Sequence, residues 1–67
     1  MTYKEAQTLR VGDPIEWKTT GEIWTIVQAF EMINKTIGFE FVDTEGFHAV
    51  CTHRQVNKLP DRYYNKD

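Results

Sequence analysis

The sequence predicts an all-β fold, a small five-stranded barrel preceded by a short helical turn. Apolar and charged residues alternate in the first strand candidate, two long β-prone segments follow, and turn-forming residues separate them. The chain has 67 residues, which is enough for one domain and too few for two. Residues 1–60 are therefore predicted to form a single domain. Residues 61–67 show no pattern, and we expect them to fray.

The first element is a helical turn near the N-terminus. Thr2 is the predicted N-cap, and Glu5 three residues later completes a capping box. The next apolar residues fall at spacings that share a face, so the segment is expected to close one end of the fold: Tyr3, Ala6 and Leu9. A turn at residues 10–14 then leads to the first strand.

Residues 15–18 alternate between apolar and charged, which predicts a half-buried strand. Two β-prone segments follow at residues 22–31 and 36–42. A two-residue turn at Asn34 and Lys35 joins them in a predicted hairpin. The fourth strand follows a second turn, so the central part of the chain is predicted to be a three-stranded meander.

The two turns set the predicted registers. The first turn places Phe30 opposite Phe39, and the second, residues 43–46 with Gly46 in the left-handed position, places Phe39 opposite Cys51. Both registers collect apolar side chains on one face, which we predict to be the core. Its members are Trp24, Ile26, Phe30, Met32, Ile37, Phe39, Phe41, Phe47, Ala49 and Cys51.

The end of the chain completes the predicted barrel. Residues 52–56 are expected to form one helical or 3₁₀ turn, and residues 57–59 a short last strand. An open three-stranded sheet would leave its aromatic face in water, so the sheet is expected to curl and close. The residues predicted to close it are Ile15, Trp17, Val56 and Leu59.

Several segments carry a family resemblance. They are the entry to the first strand, Leu9-Arg10-Val11-Gly12-Asp13-Pro14-Ile15, then Gly21 before a β-prone run, the turn at residues 43–46, and the closing residues 56–59. In this order of elements the chain resembles the SH3-like barrels, in particular the KOW-like and Tudor-like modules of bacteria and phages. The likeness spans most of residues 9 to 60. These folds carry unrelated functions, so the resemblance implies a fold more than an activity.

Charge and cysteine content limit the cellular setting. Eight Lys and Arg against ten Asp and Glu give a formal net charge of -2, which removes the general attraction of a basic protein to nucleic acid. A single cysteine forms no internal disulfide, which favours a reducing cytoplasm. The sequence shows neither a targeting signal nor a membrane-spanning segment. We therefore expect a cytoplasmic protein.

No motif indicates catalysis. His48, Cys51 and His53 are metal-ligand types, but His48 points away from Cys51 in the predicted strand and a fourth ligand is missing. Cys51 is expected to be buried and inert, with both histidines on the surface. The carboxylates alternate with apolar residues as on a solvated face, and the glycines are too scattered for a phosphate loop. We predict no enzyme, no cofactor and no metal.

Two surfaces are candidates for binding. Trp17 either seals the core or lines a groove, and it lies near a basic set formed by Lys18, His53, Arg54 and Lys58. Together they resemble the stacking platform of a single-strand binder, although the net charge of -2 favours ordinary surface charge as the explanation. This surface supports an alternative function, a KOW-like nucleic-acid-binding module.

The second candidate is the face of the sheet opposite the core, which is too apolar to be fully wet. The predicted registers place Val27 beside Val42, with Val50, Ile23 and Ile33 on the same face. Either the long second strand bends inward, or this face binds a partner or a second copy. We therefore predict a non-catalytic binding module for a protein partner, with a structural homodimer as a further alternative.

Overall fold

The computed structural model of the chain describes residues 1–64 and is an all-β fold, as predicted. Helix α1 spans Tyr3–Ala6, and two 3₁₀ turns span His53–Gln55 and Asp61–Tyr63. The five strands are β1 (Pro14–Trp17), β2 (Ile23–Met32), β3 (Thr36–Val42), β4 (His48–Thr52) and β5 (Val56–Asn57).

The strands form one antiparallel sheet in the order β4-β3-β2-β1-β5. Strand β2 is shared, because its first residues pair with β1 and the rest with β3, with Thr25 reaching both Pro14 and Val42. Over residues 1–64, β4 and β5 do not pair with each other, so the sheet is not closed. Strand β5 is only two residues long, and both of its residues pair with β1.

Helix α1 begins at the predicted capping box. The Thr2 hydroxyl accepts from the Glu5 N–H at 3.1 Å, and the Glu5 carboxylate accepts from the Thr2 N–H at 3.0 Å. Ala6 is buried, and the Tyr3 hydroxyl donates to the Glu31 carboxylate on β2 at 2.7 Å. A helix of one turn is marginal alone, so these tertiary contacts hold it in place.

The β3–β4 hairpin has the predicted register, with Phe39 opposite Cys51 and Phe41 opposite Ala49. Its turn is stabilised by the Asp43 carboxylate, which accepts from two backbone N–H groups beyond it, each at 2.9 Å. Gly46 has φ 88°, which a residue with a side chain adopts only with strain.

The predicted register of the β2–β3 hairpin is wrong. Phe30 pairs with Gly38, and it is Ala29 that lies opposite Phe39. A bulge between Ile26 and Gln28 shifts the register once more. Because side chains alternate between faces, a shift of one residue moves a whole set of side chains to the other face. The set that changes face includes the predicted core residues Phe30 and Met32.

Gly38 explains why Phe30 occupies the outer face. A Cβ atom at Gly38 would lie 2.5 Å from Cε2 of the Phe30 ring. The ring therefore fills the space that a side chain at Gly38 would need. The Met32 sulfur would lie 3.1 Å from the same Cβ atom, and the Met32 side chain remains 42% exposed.

The core lies on the other face of the sheet. It is smaller than predicted, because Phe47 and Ala49 lie on the core side at the sheet edge and remain exposed. Helix α1 and the segment after it contribute two of its members. The buried apolar residues are Ala6, Leu9, Ile15, Ile26, Ile37, Phe39, Phe41, Cys51, Val56 and Leu59.

The end of the chain also differs from the predicted frayed tail, at least as far as residue 64. The Tyr64 hydroxyl accepts from the Leu59 N–H at 2.9 Å and donates to the Pro14 carbonyl at 2.8 Å. This side chain packs against the core and links the C-terminal segment to the start of β1. Residues 65–67, the rest of the predicted tail, lie outside the described residues.

Candidate protein-binding surface

Strand β4 is an edge of the sheet and carries exposed apolar side chains. Phe47, just before the strand, is 65% exposed, Val50 is 62% exposed, and Ala49 between them is exposed as well. Residues 47–52 contain no Lys, Arg, Asp, Glu or Pro, the residue types that usually protect a sheet edge from pairing. We call residues 47–52 the β4 edge.

At two residues of the β4 edge, the backbone N–H and C=O groups point away from β3 and are free to pair with another strand. The Asp43 N–H donates to the Phe47 carbonyl at 3.0 Å, and antiparallel pairing alternates from there, so His48, Val50 and Thr52 turn their backbone groups away from β3. The N–H of Thr52 already has a partner, because it donates to the side-chain oxygen of Gln55 at 2.9 Å. His48 and Val50 are therefore available for an added strand.

Trp17, the first predicted binding residue, belongs to an aromatic cluster beside the core. Trp24 stacks on Phe41 at a ring separation of 4.3 Å, and Trp17 lies 5.3 Å from Trp24 and 6.2 Å from Phe41. Both tryptophans are partly buried. The Trp24 indole N–H is buried and has no acceptor among the described residues. The cluster therefore seals the core and leaves part of Trp17 in solvent.

One side of this cluster is acidic. The beginning of β2 and the end of β3 are adjacent, because Thr25 pairs with Val42, so the loops at residues 18–22 and 43–47 lie at the same end of the sheet. These loops carry three carboxylates and one cation, namely Glu22, Asp43, Glu45 and Lys18. Such a balance repels phosphate groups and suits a neutral or cationic partner.

Two side chains of the predicted basic set, Arg54 and Lys58, have different partners. The Arg54 guanidinium donates to the Thr36 hydroxyl at 3.4 Å, whereas the Lys58 ammonium lies 3.4 Å from the Asp61 carboxylate and 5.5 Å from the centre of the Tyr64 ring. Lys18 donates its backbone N–H to Gln55 in the 3₁₀ turn at His53–Gln55, and its charge acts on His53 together with that of Arg54. Lys18 and Arg54 are therefore both near His53, whereas Lys58 contacts the C-terminal segment.

His53 was predicted on the surface and is buried, with 4% of its area exposed. Its Nδ1 accepts from the Ile37 N–H at 3.1 Å, and its ring meets Tyr3 edge-on. Burial lowers the pKa of His53 from its ordinary 6.5, and the nearby charge of Arg54 lowers it further. His53 is thus a neutral structural group that anchors the beginning of β3.

The predicted apolar stripe on the outer face is divided by the register. Val27 lies in the bulge, and it is Thr25 that pairs with Val42, so the predicted Val27–Val42 neighbours are wrong. Both valines are half-buried, whereas Ile23, Ile33 and Val50 are exposed. Of these three residues, Val50 lies on the edge strand β4. Next to it, the Glu40 carboxylate lies 2.7 Å from Nδ1 of His48.

The other candidate groups in residues 1–64 are a buried cysteine, dispersed metal-ligand residues and an open groove. Cys51 is buried as predicted, and burial raises the pKa of its thiol to about 11, which keeps it protonated. Among residues 1–64, no three His, Cys, Asp or Glu side chains are grouped to hold a metal ion. An open groove of about 300 Å³ runs between α1 and β2, but its one carboxylate, Glu31, already accepts from Tyr3.

Comparison with protein-family models, curated proteins and solved structures finds no match to this chain. In the described part of the chain, none of the helices has the length and apolar character needed to cross a membrane.

Proposed function

We propose that this chain is an SH3-like module that binds a protein partner and catalyses no reaction. Two features support the fold assignment. The strand order places the central meander β2-β3-β4 beside β1, and β5 follows a 3₁₀ turn, His53–Gln55, after β4. A long β2 shared between β1 and β3 provides the bend that a small barrel needs.

The observation that carries the proposed function is the β4 edge. Exposed apolar side chains coincide there with two outward-facing residues, His48 and Val50, on a strand without Lys, Arg, Asp or Glu. An extended segment of a partner pairs with such an edge through main-chain hydrogen bonds, and alternate side-chain pockets give specificity. Phe47 and Val50 lie on opposite faces of the strand, so a bound segment meets an apolar side chain on each face.

The alternative, a KOW-like nucleic-acid-binding module, has less support. It requires Trp17, Lys18, Arg54 and Lys58 to act together, and the side chains of Trp17, Arg54 and Lys58 contact different neighbours. The acidic loops beside Trp17 also oppose phosphate binding. A salt titration against single-stranded RNA and DNA tests this alternative, which predicts binding that weakens steeply as salt increases.

Peptide selection tests the proposed function directly. A library of displayed random peptides is selected on the immobilised chain, and enriched peptides are titrated against the free protein. We expect peptides with alternating apolar residues, because a bound strand presents every second side chain to the same face. A monomeric chain that yields no saturable binder would contradict the proposal.

Matched variants locate the binding. Val50→Lys adds a charge at the β4 edge, whereas Ile33→Lys adds the same charge at the β2–β3 turn, where the side chain is 84% exposed. Selected peptides should lose at least about tenfold in affinity for Val50→Lys and keep their affinity for Ile33→Lys. Equal affinities for both variants would place binding elsewhere on the molecule.

The proposed setting is a reducing cytoplasm, because the chain has one cysteine and that thiol is buried and free.

A further inference from the structure

We propose that the partner of the β4 edge is a second copy of this chain, paired antiparallel across a twofold axis at Ala49. This inference rests on the proposed function, since it names the occupant of the same surface. The resulting dimer would join two five-stranded sheets into one continuous sheet. Its support comes from the length, the composition and the symmetry of the edge.

The length of the open segment suits a twofold axis. Val50 and His48 are the two outward residues whose backbone groups are available, and Gln55 closes the strand at Thr52. With Ala49 opposite Ala49 of the second copy, His48 of each copy lies opposite Val50 of the other. Both outward residues are then used in both copies, and the pairing makes four main-chain hydrogen bonds.

Side chains along this register are compatible. The pair on the axis is of the closely spaced, non-hydrogen-bonded kind, with Cα atoms about 4.5 Å apart, which the small Ala49 side chain permits. On the same face, Phe47 would lie beside Cys51 of the second copy and lose its contact with water. On the outer face, Val50 would lie beside His48 of the second copy.

Electrostatics favour the chain's own strand as the occupant. A strand that pairs here replaces water beside a largely apolar segment whose neighbouring carboxylate, Glu40, already contacts His48, so a charged partner strand would lose water without gaining a counter-charge. The β4 edge contains no Lys, Arg, Asp or Glu, and His48 lies opposite Val50 in this register, so two copies place no like charges opposite each other. The second edge of the sheet, β5, offers only two residues and no comparable surface.

Analytical ultracentrifugation over a range of protein concentrations tests the proposal. The parent chain, with a monomer mass of 7.9 kDa, should shift reversibly toward twice that mass. Val50→Lys should weaken dimerisation at least about tenfold, and Ile33→Lys should dimerise like the parent. Thermal unfolding confirms that each variant is folded before it is compared.

Amide exchange identifies the paired residues independently. In the parent, exchange of the His48 and Val50 amides should slow as concentration increases, whereas exposed turn amides near Ile33 should not change. A second variant, Val50→Pro, removes an outward N–H without removing a bond to β3, and it should abolish the dimer.

The outcomes separate the two proposals. A parent chain that stays monomeric but binds selected peptides in a Val50-dependent way would overturn the second copy as partner and keep the proposed function. A dimer that Val50→Lys leaves intact would overturn the β4 pairing. A monomer without any saturable peptide binding would contradict both proposals.

Discussion

The two hairpins of the central meander differ in how strongly the local sequence determines their register. In the β3–β4 hairpin, Asp43 and Gly46 supply the hydrogen bonds and the left-handed conformation that the turn requires. In the β2–β3 hairpin, Asn34 and Lys35 adopt φ 59° and 52°, without a glycine. The turn residues determine the register of the β3–β4 hairpin, whereas the register of the β2–β3 hairpin depends on contacts distant in sequence.

Those distant contacts are visible on both sides of the β2–β3 hairpin. His53 accepts from the Ile37 N–H and holds the beginning of β3, and Tyr3 donates to Glu31 and holds β2. Phe30 covers Gly38 on the outer face. Turn chemistry alone therefore determines a register only where it supplies most of the local hydrogen bonds.

The largest expected effect distinguishes the two phenylalanines that the sequence assigns to one core. Phe39→Ala removes a fully buried side chain and should cost about 3–5 kcal/mol of unfolding free energy. Phe30→Ala removes a half-buried ring and should cost about 1 kcal/mol. Denaturant unfolding of both variants measures the difference, and equal losses would restore the predicted register.

The contribution of His53 should depend on pH. Its pKa is lowered in the folded state, mainly by burial, so the protonated form favours the unfolded chain. The stability that the neutral ring provides is complete above its ordinary pKa of 6.5 and is lost as pH falls through the lowered value. Unfolding should therefore become easier in mild acid.

Replacing His53 by Gln removes this titration and provides the control. The variant keeps a side chain that accepts hydrogen bonds, but its stability should change less between about pH 7.5 and about pH 5 than that of the parent. Parallel pH profiles for the parent and His53→Gln would show that other groups cause the loss.

Much of the fold could be predicted because its signals are local. The capping box at Thr2, the turn at Asp43 and the burial of Cys51 each follow from a few neighbouring residues. The bulge in β2 has no such signal, although Gly38 inside a strand is a reason to expect a ring against the backbone.

The candidate site was predicted only at Val50. Phe47 has the parity of a core residue, and its exposure follows from its place at the sheet edge, which alternation along one strand does not reveal. Two members of the predicted basic set are separated for a related reason. Arg54 and Lys58 are close in sequence, but a 3₁₀ turn and a strand direct them to different partners.

The turn of the better-determined hairpin can be weakened. Gly46→Ala places a side chain at φ 88° with nothing within 4 Å of the new Cβ atom, so the cost is purely that of the backbone. We expect a loss of about 1–2 kcal/mol. Chemical denaturation measures it, and an unchanged midpoint would mean that this turn contributes little to the register.

The turn of the other hairpin can be strengthened, and this is the smallest expected effect. Lys35→Gly relieves a left-handed residue of about 1–2 kcal/mol of strain, while the added freedom of glycine in the unfolded chain costs about 0.4–1 kcal/mol. The difference predicts a net gain of about 0.5–1 kcal/mol. Lys35→Ala is the control, because alanine keeps the strain and should bring no gain. If Lys35→Gly brings no gain, the left-handed conformation at residue 35 costs little, and backbone strain does not distinguish the two turns.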